Sequence, residues 1–231
     1  MKSVSALIFG FNEYGLEIAR NVNYKYKDIT IFNLDKSEFI YATDIDYTLR
    51  IFDLSDDWEE IEEEFDMEKS VIFCAIRDEA KNIFLTISLR SYFKDATIIS
   101  LTNNKEDANK LKMAGASKVI PIVETTAGII TDMLKKPIAT EILHNILYED
   151  SELKIEQVKI ENAKYFEKEF PADINWSERF GILVLSIVHE DMSREFIYSS
   201  KSKHTKLIDG DILIVVGYDT DLKDFQKRIG G

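Results

Sequence analysis

The sequence predicts an α/β chain, a doubly wound parallel sheet followed by a small α+β C-terminal lobe. Three observations carry that expectation. Residues 4–122 alternate short β-branched apolar runs with amphipathic helical patterns, the signature of parallel strands joined by crossover helices. Residues 7–20, LIFGFNEYGLEIAR, pass from an apolar strand through a glycine turn into a helix. Beyond about residue 150 the chain reads as strand after strand with one short helix at the end, a pattern that belongs to a separate lobe.

In order along the first part, strands are expected at 4–9, 29–34, 49–52, 70–75, 97–101 and 118–121. Helical patterns lie between them at 14–27, 36–43, 56–66, 78–93 and 104–114. The run DLSDDWEEIEEEFDMEK at 53–69 is dense in carboxylates, yet Trp58, Ile61 and Phe65 recur at helical spacing. Its acids therefore cover a solvated face, and the run lacks the glycine that a calcium loop needs. Residues 123–147 are helical but broken at Lys135-Lys136-Pro137, because proline removes a backbone donor. That segment reads as a connector or hinge. LKIEQVKI, GILVLSIVHE, REFIYSS and DILIVVGY are then expected as strands, with a turn at Asp209-Gly210 and a final helix over DTDLKDFQKRI. The division expected is 1–122, 123–149 and 150–231.

Composition excludes several classes of function. A formal net charge of −13 repels nucleic acid and anionic lipid, so neither is expected as a partner. One cysteine, Cys74, allows no internal disulfide and no cysteine-rich metal site, and fits a reducing cytoplasm. It reads as a small buried residue at a strand end. No apolar run approaches the roughly 20 residues that cross a bilayer, and the first residues lack a basic-then-apolar signal layout.

The turn GFNEYG carries the candidate binding residues. In the dinucleotide fingerprint G-x-G-x-x-G, the first glycine permits a tight turn and the middle one admits a pyrophosphate against the backbone. The last lets helix and strand approach. Gly10 and Gly15 hold the outer positions and Asn12 replaces the middle glycine, so the turn is kept and the phosphate cradle weakened. Glu13 adds negative charge where the helix would otherwise attract an anion. Asp35, ending the second strand, stands where a carboxylate accepts ribose hydroxyls, favouring the unphosphorylated ribose of NAD, ADP or ATP; it equally suits the cap of a helix from Lys36. Asp53 is a second candidate for the rim or a cap, and Ala75 with Ile76 either lines the adenine side or simply packs.

Catalytic chemistry is not expected. His144, His189 and His204 lie on the connector and in the second lobe, with no nucleophile-and-base arrangement around them, and read as solvated residues. A small NAD-dependent oxidoreductase remains the alternative from another class, and a ligand-free assembly scaffold a third.

GFNEYG, Asp35, Phe52-Asp53 and the run KLKMAGASKVIPIVETTAGIITDMLKKP together resemble the RCK, or TrkA-type, regulatory domains of potassium channels and transporters. The second half, closing with LIDGD at 207–211, resembles that family's C-terminal TrkA-C lobe. The resemblance implies a Rossmann-like N-lobe, pairing through crossover helices, and a homo-oligomer, either a dimer or an octameric ring. It also implies a cytoplasmic place at the inner face of the cell membrane, where a ligand drives a potassium channel or transporter pore. NAD, ADP or ATP is the ligand so implied, held by Gly10, Asn12, Glu13, Gly15, Asp35, Asp53 and Ala75. Calcium-responsive relatives carry carboxylates after the fifth strand, where this chain has Leu101-Thr102-Asn103-Asn104, so no metal is expected.

Overall fold

Ser5–Phe9 (β1) is buried at every position, as a strand covered on both faces must be. In the computed structural model, which describes residues 2–35, 47–55, 58–148, 151–198 and 205–229, β1 lies inside a six-stranded sheet. The others are Asp28–Asn33 (β2), Thr48–Ile51 (β3), Val71–Cys74 (β4), Thr97–Thr102 (β5) and Lys118–Pro121 (β6). All pair in parallel in the order β3-β2-β1-β4-β5-β6, the doubly wound arrangement the alternating pattern predicts. Helices Glu13–Val22 (α1), Glu59–Glu64 (α2), Glu79–Tyr92 (α3) and Lys105–Met113 (α4) belong to the same unit. The helix expected over 36–43 lies outside the described residues.

Alternating side chains of the strands build two cores. Leu7, Phe9, Phe32, Ile72 and Cys74 join Leu85 and Leu89 of α3, while Ala6, Ile8, Ile31 and Phe73 join Ala19 of α1. In the first core Phe9 stacks on Phe32 with centroids 4.6 Å apart, and Trp58 meets Phe9 edge-on at 5.9 Å. Trp58 Nε1 donates to Ser88 Oγ at 2.8 Å, which satisfies its only donor. The acidic run behaves as its spacing requires: Trp58, Ile61 and Phe65 are buried and Glu59, Glu60, Glu62, Glu63 and Glu64 are exposed.

Arg90 explains the Ala-Gly-Ala element that follows α4. Its guanidinium donates to the carbonyls of Phe93, Lys94, Ala96 and Gly115 and to Ser117 Oγ, tying the end of α3 to the approach to β6. Gly115 has φ +97°, and a Cβ there would stand 2.4 Å from Arg90 Cγ, so both the backbone angle and the passing side chain demand glycine.

Ile122–Lys135 (α5) and Pro137–Tyr148 (α6) break at Lys136, as the Lys-Lys-Pro sequence predicts. Pro137 becomes the first residue of α6, a position whose N–H has no helical partner to lose. Contacts divide the chain into two compact units, Met1–Thr131 and Asp132–Gly231.

The second unit holds an antiparallel sheet of Leu153–Lys159 (β7), Ile182–Val188 (β8), Arg194–Glu195 (β9) and Ile212–Tyr218 (β10), in the order β7-β10-β8-β9. Trp176–Phe180 (α7) and Asp219–Ile229 (α8) supply Trp176, Phe180 and Phe225 to its core, where Phe166 joins them. Two features differ from expectation. REFIYSS gives only the two-residue β9, after which Phe196 and Tyr198 are exposed, with 199–200 outside the described residues. The short helix α7 is not legible in the sequence, because five residues are too few to display a 3.6-residue period.

Candidate functional site

A cleft of about 540 Å³ opens at the carboxyl ends of β1, β2 and β4, where the strand order reverses. Open α/β sheets bind ligands at this switch point, because diverging loops leave a crevice there. Leu34 and Ile76 give it apolar walls, and Asp35, Arg77, Asp78 and Lys81 give it charge.

The glycine turn forms its floor. Gly10 takes φ +132°, and a Cβ on it would lie 2.5 Å from the Ala75 carbonyl oxygen. A Cβ on Gly15 would lie 2.0 Å from the Gly10 carbonyl oxygen, so α1 sits against β1 only because residue 15 has no side chain. Asn12, in contrast, adopts an extended backbone with φ −150° and caps α1. Its Oδ1 accepts from the amides of Tyr14 at 3.0 Å and Gly15 at 3.1 Å, and its Nδ2 donates to Ala75 O at 2.7 Å. One side chain therefore closes the helix end and ties it to the end of β4.

Neighbouring donors are also engaged. Phe11 N donates to Asn33 Oδ1 at 3.2 Å, and Asn33 Nδ2 donates to Asp35 O at 3.0 Å, so buried Asn33 holds the turn and the end of β2 together. Glu13 pairs with Arg77. That hydrogen bond, followed by one from its own backbone amide, holds the Glu13 carboxyl below its ordinary pKa. Across the cleft, Asp78 caps α3 by accepting from Lys81 N at 3.1 Å. Asn82, fully buried, bridges Cys74 O and Leu101 O and accepts from Ile76 N, fixing the wall that carries Ile76 and Arg77.

Of the residues singled out from sequence, Gly10, Asn12 and Asp35 line the cleft, and Gly15 supports it from beneath. Ala75 contributes its carbonyl to Asn12, and Glu13 reaches the cleft through Arg77. Asp53 is not among the lining residues: its Oδ1 accepts from Ser55 N and Ser55 Oγ in a local turn. Asn33, Arg77 and Lys81 were missed. The signal for the last two was two cations four residues apart directly after β4; Asn33 offered no signal beyond a polar residue inside an apolar strand.

Cys74 is fully buried, and burial pushes its thiol up to about 11, so it stays protonated and inert. His189 departs from the expectation of a solvated residue. Its Nδ1 lies 2.9 Å from Asp211 Oδ1 and its Nε2 3.5 Å from Glu195 Oε2. Buried Oε1 of Glu195 has no hydrogen-bond partner among the described residues. Burial by itself would lower the His189 pKa; hydrogen bonds and charge from Asp211, then Glu195, more than offset this and raise it above the ordinary value. His144 is half-buried on α6, and His204 lies outside the described residues.

Residues 6–122 match the TrkA-N domain family. The chain belongs to that family. Solved structures of similar fold include the GsuK channel, 18% identical with a TM-score of 0.50, covering 100% of this chain and 39% of that one. The GsuK channel bound to NAD gives 17% and 0.49 with the same coverages, and the TrkA-N domain of the inner membrane protein YbaL from Escherichia coli gives 14% and 0.48, covering 57% of this chain and 97% of that one. At such identities the likeness is one of fold, and this chain spans about two fifths of the GsuK channel's length. No curated protein matches the sequence.

TrkA-N folds of the dinucleotide type imply a nucleotide, and the cleft fits one only in part. Leu34 and Ile76 are apolar walls and Asp35 brings a carboxylate at the end of β2, the groups that an adenosine would require. The pyrophosphate half does not fit, because the amides of Tyr14 and Gly15 are taken by Asn12 and that of Phe11 by Asn33. Among the described residues no helix is long and apolar enough to cross a membrane.

Proposed function

We propose that this chain is the regulatory, gating domain or subunit of a potassium channel or transporter, working at the cytoplasmic face of the membrane. An adenosine-bearing ligand binds the β1–β4 cleft in the lobe 1–122; the connector 123–149 pairs with that of a second copy, and the change passes through the connector and the lobe 150–231 to a pore. The observation that carries this reading is α5. It is a fourteen-residue helix of a TrkA-N chain that buries none of its residues, with Ile130 and Leu134 exposed on successive turns. On α6, Ile138 is exposed as well. Such faces are stable in water when a partner covers them, and a second copy supplies a matching face by symmetry.

Regulation follows from differential affinity. A ligand shifts the assembly only if it binds one arrangement more tightly, and each site then supplies about 1–3 kcal/mol of coupling, which several copies in a ring add together. Asp35 orients the ligand through its ribose, and Leu34 and Ile76 exclude water from the base. No serine, cysteine or histidine lines the cleft among the described residues, which supports a binding role over an oxidoreductase. The engaged amides around Asn12 favour one other reading, a scaffold that assembles without ligand.

Light scattering across a concentration series tests the assembly. A dimer or larger ring is expected for the wild type, and Ile130→Asp or Leu134→Asp should shift it towards monomer. A wild-type monomer at high concentration overturns the proposal. Calorimetry with NAD, NADH, ADP, ATP and calcium addresses the ligand, where silence throughout makes the scaffold the better reading. Turnover of NADH with any of a panel of carbonyl compounds would put the oxidoreductase first.

A further inference from the structure

We propose that the cleft is selective for a nucleoside without a diphosphate, because the chain's own side chains fill the positions where a pyrophosphate would be held. This rests on the reading of the cleft as an adenosine-type site and names its ligand class.

A pyrophosphate at a glycine turn is held by backbone amides at the start of the following helix and by the helix dipole. Here Asn12 Oδ1 accepts from Tyr14 N and Gly15 N, Asn33 Oδ1 accepts from Phe11 N, and Leu16 N is bonded to Asn12 O. The Glu13 carboxylate takes the hydrogen bond of its own amide and sets a full negative charge at the helix start. Asn12 is also anchored by its Nδ2 to Ala75 O at 2.7 Å, so turning its side chain away breaks bonds on both sides of the cleft.

Charge points the same way. Arg77, which faces the cleft, is engaged by Glu13, and Asp78, which caps α3 through the Lys81 amide, lines the cleft together with Lys81. Among the described residues two cations stand against three carboxylates, those of Glu13, Asp35 and Asp78, so added phosphate charge meets no net compensation from them. The side chains of Asp35, Leu34 and Ile76 line the cleft and make none of the plug's hydrogen bonds named above. An uncharged nucleoside keeps all of the favourable contacts and meets none of the unfavourable ones.

Calorimetry with adenosine, AMP, ADP and NAD on the wild type and on Asn12→Gly tests the inference. The wild type should bind adenosine at least as tightly as ADP or NAD. Asn12→Gly, which frees two amides and restores the middle glycine, should tighten ADP and NAD tenfold or more while moving adenosine less than threefold. A wild type that binds ADP or NAD tenfold tighter than adenosine overturns the selectivity and leaves the adenosine-type site standing. Silence of the wild type with all four compounds overturns the site reading itself, and the inference falls with it. Amide spectra of the wild type give a readout independent of the variant's folding. Adenosine should shift the Leu34 and Ile76 methyl signals and leave the Tyr14 and Gly15 amides in place; ADP shifting those two amides overturns the plug.

Discussion

Replacing Arg90 with lysine separates the geometry of a side chain from its charge. Arg90 Nε donates to Gly115 O at 2.7 Å, Nη1 to Phe93 O at 3.0 Å and to Lys94 O, and Nη2 to Ala96 O at 2.7 Å and Ser117 Oγ at 2.9 Å. A planar fork reaches acceptors on several sides, whereas an ammonium presents its donors from one point at the end of a flexible stem. Lysine at 90 should keep about two of these bonds. With each lost bond worth about 1 kcal/mol net in this half-exposed setting, Arg90→Lys should destabilise the first unit by about 3 kcal/mol. Arg90→Ala should lie lower still, since it surrenders the remaining bonds and the charge. Urea unfolding followed by Trp58 fluorescence, with Trp176 replaced by Phe in every protein compared, reports this unit, because Trp58 is buried beside α3 through Ser88. Arg90→Lys within about 0.5 kcal/mol of the wild type would refute the reasoning, since a fork worth so little could not be what holds the Ala-Gly-Ala turn.

Two further outcomes are expected. Gly15→Ala drives a Cβ to 2.0 Å from a backbone oxygen, which no side-chain rotation relieves, so the cost should reach about 3 kcal/mol or more and appear as a lower melting temperature; an unchanged melting temperature counts against the close approach. His189 has its folded pKa raised, so its contribution to stability is fully present below the unfolded value of about 6.5 and is lost as pH rises through the folded value. Urea unfolding of the second unit, followed by buried Trp176, should therefore show stability falling as pH rises through and above neutrality, and His189→Gln should flatten that fall. A wild-type profile that is flat or rising over this window contradicts the placement of His189 between Asp211 and Glu195.

Much of the fold was legible because its signals are local. The buried β1 run, the carboxylates of 59–64 around Ile61 and the proline break at 137 each declare themselves within a few residues, through periodicity or a missing donor. The shortness of the strand in REFIYSS and the helix α7 were not legible: the first depends on which partner edge is available at Ile187 and Val188, and the second is shorter than two turns. His189 looked isolated because Asp211, its partner, stands 22 residues away. Gly10 and Gly15 were read correctly as turn and close-approach residues, since only the absence of a Cβ suits either role.

Sequence alone determined the layered α/β plan, the glycine turn, the acidic solvated face and the helix break before Pro137, because each follows from side-chain size, polarity and spacing along one segment. Tertiary structure alone decided how the turn is anchored. Asn12 meets Ala75 across 63 residues and Glu13 meets Arg77 across 64, pairings that exist only once β1 and β4 lie side by side. A hydrogen-bond donor carries no mark in the sequence of whether it is still open. The amides of Tyr14 and Gly15 are taken locally, by the Asn12 cap two and three residues back, whereas only the fold brings Asn33 Oδ1 to the amide of Phe11 across 22 residues.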